Sequence, residues 1–141
     1  MEITSQRNIF MFWTGKEYSL LKILKKLIYS HSKNGKGYNV FFITPENVKN
    51  YLDDIPKNLY KYKPQAQSDC LRVLLLCKYG GIWLDSDTIV IDTLDPLFDI
   101  IDNHDGFFIK ENNTHICNGL FGTRKNTPFM TKLRDKILTK L

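Results

Sequence analysis

Residues 65–91, with the sequence QAQSDCLRVLLLCKYGGIWLDSDTIVI, decide the fold of this chain. Pro64 immediately before them favours the first turn of a helix, where its missing N–H is not needed, and Gly80-Gly81 favours a left-handed stop. We therefore predict a helix from about Pro64 to Tyr79. The short apolar run Gly81–Leu84 that follows predicts a fully buried strand. Helical spacing assigns one shared apolar face to Ala66, Cys70, Val73, Leu74 and Cys77.

Two aspartates, Asp85 and Asp87, come directly after this predicted strand. Because open α/β sheets bind ligands beyond the carboxyl ends of their strands, we expect both carboxylates at a ligand-binding edge. Carboxylate oxygens suit Mg²⁺ and Mn²⁺, and such ions commonly bridge protein carboxylates to phosphate groups. The residues alone thus predict a divalent cation, Mn²⁺ or Mg²⁺, held by Asp85 and Asp87.

The remaining patterns predict an α/β fold with a mostly parallel sheet flanked by helices, as in Rossmann-type nucleotide-binding domains. The apolar runs at residues 8–13 and 38–43 predict two strands, separated by an amphipathic helix at about residues 17–31. A short helix to about Leu52 is expected after the second strand. Further along the chain we predict strands at residues 88–91 and 107–109, a short helix or loop near residues 94–97, and a closing helix at residues 128–141.

Length and composition limit the classes of protein to consider. A chain of 141 residues fits one domain, residues 1–141, and its net charge of +5 comes with lysines spread along the chain, which argues against nucleic acid as a partner. No apolar run approaches a membrane span, and the start MEITSQRN lacks the layout of a signal peptide, so a cytoplasmic protein is expected. The basic helix at residues 17–31 has two interpretations: a solvated lysine face or a peripheral membrane contact.

Two segments carry a specific resemblance to a known family. The segments QSDCLR, residues 67–72, and YGGIWLDSD, residues 79–87, resemble the core of DXD-motif glycosyltransferases. The most similar group shares a sugar-binding region and includes yeast-type mannosyltransferases and the large clostridial glucosylating toxins. Trp83 stands where tyrosine is commoner, so a hydroxyl group is absent there. The resemblance covers roughly residues 9–121 and implies a GT-A-like fold.

The resemblance also implies an activity. Such enzymes move a hexose from a UDP- or GDP-linked nucleotide-sugar donor to a hydroxyl group of a glycan, protein or lipid acceptor, with retention at the anomeric carbon. The divalent ion stabilises the diphosphate leaving group. Relatives continue beyond this length and gain there a further metal contact and much of the acceptor site. This leaves three alternatives: a minimal enzyme, one completed by forming a homo-oligomer, or a donor-binding fragment.

Carried over residue by residue, the family motif assigns the chemistry to four side chains. Asp87 is expected to bind the metal directly. Asp85 is expected to contact the ribose and the donor sugar, and to reach the metal directly or through water. Asp69 and Arg72 are expected to bind donor-sugar hydroxyls. Arg72 is also placed near the phosphates, where its fork of donors fits an oxyanion, so that Arg72, Asp85 and Asp87 form the expected catalytic set.

Five further residues are predicted to bind the donor. Trp13 and Thr14 end the first predicted strand, beside the ligand crevice, and the resemblance implies that the Trp13 ring lies against the nucleotide base. Ser68 and Trp83 belong to the two matching segments. Asn118 matches a looser family segment near the donor sugar; the alternative is an ordinary turn asparagine.

Two competing functions stay open at the level of sequence. Phosphatases of the haloacid dehalogenase type also carry a DxD at a strand end, with the first aspartate as nucleophile. Their motif normally opens the first strand and prefers Thr or Val where this chain has Ile89. The second alternative is a nucleotide-sugar-binding module with weak or no catalysis.

Overall fold

A computed structural model describes Ile3 and residues 5–141, and these residues form a five-stranded sheet with four α-helices. The sheet has the order β2-β1-β3-β5-β4. In chain order the elements are β1 (Asn8–Phe12), α1 (Ser19–His31), β2 (Asn39–Ile43), α2 (Pro64–Tyr79), β3 (Gly81–Leu84), α3 (Asp95–Asn103), β4 (Gly106–Lys110), β5 (Ile116–Thr123) and α4 (Pro128–Lys140).

The sheet is mostly parallel, as predicted. Strand β1 pairs in parallel with β2 and with β3, whereas β5 runs antiparallel to both of its neighbours, β3 and β4. Among the described strands only β5 is therefore reversed. The prediction of an α/β fold with a mostly parallel sheet is confirmed.

Helices cover both faces of this sheet. Along β1 the side chains alternate, so that Phe10 and Phe12 join one apolar cluster and Ile9 and Met11 join the other. The first cluster contains residues of α2 and α4, and the second contains residues of α1 and α3. The sheet is thus the shared middle layer of two cores.

The central helix α2 has the predicted limits, Pro64–Tyr79, but not the predicted single face. Every residue from Cys70 to Cys77 is buried, whereas Ala66 is exposed. The reason is that α2 packs against β1 and β3 and also against α4 and a short 3₁₀ turn at Leu59–Lys61. A helix enclosed by neighbours has no solvent face, and this holds for α2 from Cys70 to Cys77.

Two predicted elements also differ from the structure. Residues 88–91 do not form a strand: the Thr88 N–H donates to the Asp85 carbonyl at 3.0 Å, closing a turn, and Ile89 is exposed. The predicted helix before Leu52 is only a 3₁₀ turn, Val48–Asn50. There the Asn47 side chain accepts from Thr44 N and donates to the carbonyl of Phe42, which competes with a regular helix start.

Glycines bring β3 close to β1. Gly80 and Gly81 have φ values of 69° and 120°, a region that side chains rarely adopt. A Cβ on Gly81 would overlap the carbonyl oxygen of Asn8 on β1. The Gly-Gly pair therefore ends α2 and also allows the close backbone approach that starts β3.

The surface of α1 is mixed in character. Leu20 and Ile23 are exposed beside lysines, while Leu21, Leu24 and Ile28 face the core. Within the described residues, none of the helices has both the length and the apolar character needed to cross a bilayer.

Candidate active site

A cleft of about 620 Å³ opens beyond the carboxyl ends of β1 and β3. This is the edge where the sequence predicts a ligand. Eight of the nine predicted site residues line the cleft: Trp13, Thr14, Ser68, Asp69, Arg72, Asp85, Asp87 and Asn118. The ninth, Trp83, is fully buried behind the wall of the cleft.

Helix α2 contributes one flank to the cleft. Ser68, Asp69 and Arg72 lie within one turn of each other, so their side chains leave the helix on the same side. Cys70, on the opposite side, is buried, and this burial raises the pKa of its thiol to about 11. The Cys70 thiol is therefore protonated at neutral pH and takes no part in the cleft.

Arg72 connects the two acidic sides of the cleft. Its side chain is only 6% exposed, and its Nη2 atom lies 3.0 Å from Asp69 Oδ1 and 3.4 Å from Asp85 Oδ1. Nη1 donates to the carbonyl of Asn118, while Nε and Nη2 donate to the carbonyl and hydroxyl of Ser68. All three guanidinium nitrogens thus have protein partners, and one buried cation compensates two carboxylates.

Trp83 holds Asp85 from the core side. The indole Nε1–H donates to Asp85 Oδ1 at 2.8 Å, and the Trp83 ring centroid lies 5.1 Å from the Arg72 guanidinium carbon. The sequence leaves open what replaces the missing tyrosine hydroxyl at this position. In this structure the indole N–H supplies a hydrogen bond to the first aspartate of the pair.

Asn118 lies in strand β5, so the interpretation as an ordinary turn asparagine is wrong. Its side-chain amide donates to Asp69 Oδ1 at 3.2 Å, and its carbonyl accepts from Arg72. Asn118 therefore joins the far strand to the flank of α2 across the cleft.

Trp13 stands at the other end of the cleft, directly after β1. It is half-buried, its Nε1–H donates to the Lys16 carbonyl at 3.3 Å, and its ring meets Tyr18 edge to face at 5.1 Å between centroids. Tyr18 also lines the cleft and was missed from the sequence. The sequence does hold one indication of this position: Tyr18 lies in the short connection between the first predicted strand and the helix that follows it.

Asp85 and Asp87 suit a hard divalent cation only if other oxygen atoms, from a bound substrate or water, complete the coordination shell of the cation. Asp85 and Asp87 lie in one turn, with Asp87 exposed. In the described part of the chain no group of three or more His, Cys, Asp or Glu residues is arranged to hold a metal. The oxygen donors of Asp85 and Asp87 fit Mn²⁺ or Mg²⁺ bound by one or two carboxylates, with phosphate oxygens and water as further ligands.

The mixed sheet with helices on both faces and the cleft beyond β1 and β3 define the class of fold: this is a GT-A-like α/β domain, the fold of a glycosyltransferase of known structure. The chain belongs to the family described as capsular polysaccharide synthesis protein, which it matches over residues 1–139.

Three similar proteins agree with this class. Inositol phosphoceramide mannosyltransferase 3 of Schizosaccharomyces pombe is 29% identical over 101 residues, covering 68% of this chain and 27% of that protein. Human alpha-1,4-N-acetylglucosaminyltransferase is 25% identical over 108 residues, covering 69% and 29%. The solved structure of the PaToxG glycosyltransferase has the same fold, with a TM-score of 0.61, 20% identity and coverage of 96% and 61%. The chain thus spans less than a third of each of the two sequence relatives.

Proposed function

We propose that this domain transfers a hexose from a UDP- or GDP-linked sugar to a hydroxyl group, with Mn²⁺ or Mg²⁺ bound at Asp85 and Asp87. One observation supports this most strongly. The acidic turn after β3, the polar flank of α2 and the aromatic end of β1 all meet in a single cleft. A nucleotide sugar needs these three kinds of surface for its diphosphate, its sugar and its base.

The base end of the donor fits beside Trp13 and Thr14. Trp13 is fixed by its hydrogen bond to Lys16 and by its contact with Tyr18, yet it is not buried. A held, accessible indole is suited to stacking on a nucleotide base.

The diphosphate is proposed to bind at the acidic turn. A bound divalent ion would supply Lewis acidity and neutralise the charge that grows on the leaving diphosphate. Asp87 is the more available carboxylate, because it is exposed, whereas Asp85 Oδ1 already accepts from Trp83. We therefore assign Asp87 as the main protein ligand and Asp85 as a shared ligand of metal and donor.

The sugar end of the donor is assigned to Ser68, Asp69 and Asn118. Their polar groups converge on one side of the cleft, where Asn118 and Arg72 both hold Asp69 Oδ1. Arg72 is assigned mainly to orienting these groups, since its own nitrogens all have protein partners. Retention at the anomeric carbon is carried into this proposal from the family resemblance.

A glycan hydroxyl is the acceptor we favour, in a pathway of polysaccharide or glycan biosynthesis. The family is described by capsular polysaccharide synthesis. The yeast relative is named for a mannose transfer to inositol phosphoceramide, so a lipid-linked hydroxyl is the second choice.

The phosphatase alternative is disfavoured by the place of Asp85 in the chain. The phosphatase motif normally belongs to the first strand of the chain, whereas Asp85 follows β3, the third strand in chain order. A donor-binding module without catalysis stays as the second candidate, because the chain covers only part of its relatives.

The direct test is release of nucleoside diphosphate and sugar transfer from UDP-glucose, UDP-galactose, UDP-N-acetylglucosamine and GDP-mannose, each with Mn²⁺ and with EDTA. We expect one donor to be turned over only when metal is present. Binding without turnover would favour the module. Hydrolysis of phosphate monoesters without sugar transfer would favour the phosphatase.

A further inference from the structure

The two oxygens of Asp85 have different surroundings. Oδ1 accepts from the indole of Trp83 at 2.8 Å and lies 3.4 Å from Arg72 Nη2. Trp83 and Arg72 are both buried, at 0% and 5% exposure. In the part of the chain that the structure describes, no group donates a hydrogen bond to Oδ2. Only one oxygen of this carboxylate is therefore left for a ligand.

Gly119 on β5 provides the space for that second oxygen. A Cβ on Gly119 would lie 2.7 Å from Asp85 Oδ2 and 3.3 Å from its Cγ, and the next atom, Cys117 Sγ, is at 3.6 Å. The Gly119 backbone is not in the left-handed region, so alanine there carries no backbone strain. The Asp85 N–H also donates to the Gly119 carbonyl at 2.8 Å. The carboxylate is thus what an added methyl group would displace first.

We propose that Trp83 and Gly119 are positioning residues that fix Asp85 in one orientation, with Oδ1 bound to the protein and Oδ2 presented to the donor. This inference rests on the proposed function for its ligand. Asp85 would then act as a single-oxygen acceptor. The contact partner of Oδ2 is a donor hydroxyl or the metal, and Asp87 is left as the carboxylate with both oxygens available.

This orientation is useful because the loss of a carboxylate rotamer on binding would otherwise weaken the complex. A side chain already held by packing and hydrogen bonds does not lose that freedom when the ligand arrives. On the core side, Oδ1 of Asp85 is shielded from water. The Trp83 N–H supplies the hydrogen bond that water would otherwise have to provide.

The first test needs no ligand. The chain has two tryptophans, so its ¹⁵N spectrum contains two indole N–H signals. We expect one of them, assigned through Trp83→Phe, to exchange slowly with water and to shift in Asp85→Ala and in Gly119→Ala, but not in Asp87→Ala. A Trp83 signal unaffected by Asp85→Ala or by Gly119→Ala would overturn the proposed orientation.

The second test measures the dissociation constant of the nucleoside diphosphate with Mn²⁺ by calorimetry. We expect Trp83→Phe and Gly119→Ala each to weaken binding about tenfold, the size of one hydrogen bond to a charged group. In an Asp85→Ala background, neither change should have a further effect. Equal weakening with and without Asp85 would overturn the inference.

A matched control separates positioning from folding. Phe121 pairs with Trp83 across β3 and β5 and lies in the same core. Phe121→Leu should lower the melting temperature without changing nucleotide affinity. A wild-type chain that binds no nucleotide would contradict the proposed function, whereas the indole signal alone decides whether Trp83 and Gly119 orient Asp85.

Discussion

Arg72 shows how much of the site depends on one buried side chain. Its guanidinium joins Asp69 and Asp85 to each other and reaches the backbone of β5 at Asn118. The family motif assigns Arg72 to donor hydroxyls and phosphates, and that role stays a prediction. Its contacts within the protein indicate an additional role, since removing it would leave two carboxylates side by side without a cation.

Arg72→Lys tests this role, because one ammonium group cannot serve Asn118, Ser68 and both carboxylates at once. We expect a loss of about 2 kcal/mol in the free energy of unfolding, from lost charged hydrogen bonds. Urea denaturation measures it. Arg134→Lys is the control, as Arg134 pairs with Asp135 at the surface and should change stability much less. Equal losses for both variants would contradict the bracing role of Arg72.

At the level of elements, the unit α2–β3 carries the acidic turn and depends on its two glycines. Gly81 has φ 120°, and its Cα faces the Asn8 carbonyl of β1 so closely that a side chain has no room. Gly15 offers a useful comparison: it has φ 91°, but nothing lies within 4 Å of a Cβ placed there.

Alanine substitutions at these two glycines separate backbone strain from steric overlap. Gly15→Ala should lower the free energy of unfolding by about 1 kcal/mol, because a residue with a Cβ is strained in a left-handed conformation. Gly81→Ala should lower the free energy of unfolding by about 3 kcal/mol or more, because β1 and β3 must also move apart. Chemical denaturation gives both values. Similar losses at the two positions would show that the β1–β3 approach is not as close as described.

Local signals explain which elements were predictable. Pro64 and Gly80-Gly81 mark the ends of α2 independently of any neighbour, and α2 has those ends. The run of β-branched residues at 88–91 is typical of a strand, but only Val90 is buried, and no partner strand lies beside this segment in the described structure. Pairing partners are not encoded locally, so this error is of the expected kind.

The candidate site was predictable in its list of residues but not in its contacts. Asp85 and Asp87 follow a strand, which places them at the sheet edge. The bond from Arg72 to Asn118 joins residues 46 positions apart, and the indole of Trp83 turns toward Asp85 because of packing. Such contacts depend on tertiary structure. The sequence therefore predicted Trp83 as a donor-binding residue and did not predict its hydrogen bond to Asp85.

For the whole molecule, the two apolar clusters share one sheet. Phe10 and Met11 are neighbours on β1, both fully buried, yet they point into different clusters. A sheet common to both cores should couple them into one folding unit.

Calorimetric unfolding tests this coupling. We expect a single unfolding transition for the wild type. Phe10→Ala and Met11→Ala should each shift the whole transition to lower temperature and lower the free energy of unfolding by about 2–5 kcal/mol. Phe129→Ala, at an exposed position, should move it little. Two separate transitions in either core variant would contradict a single cooperative domain.

The acceptor side and self-association stay predictions, since the chain spans less than a third of each of the two transferase relatives compared above. For the donor side, we propose that the acidic turn binds a cation that in turn binds the diphosphate of a nucleotide sugar.

Thermal unfolding of Asp87→Ala with nucleotide sugar, with and without Mn²⁺, tests that claim most directly. Ligand at about 100 times its dissociation constant stabilises a folded protein by about 2.7 kcal/mol, so the wild type should show a clear Mn²⁺-dependent rise in melting temperature. Asp102→Ala, at an exposed position outside the cleft, should keep that rise. Asp87→Ala should lose it while folding normally; an undiminished rise in Asp87→Ala would contradict the metal site.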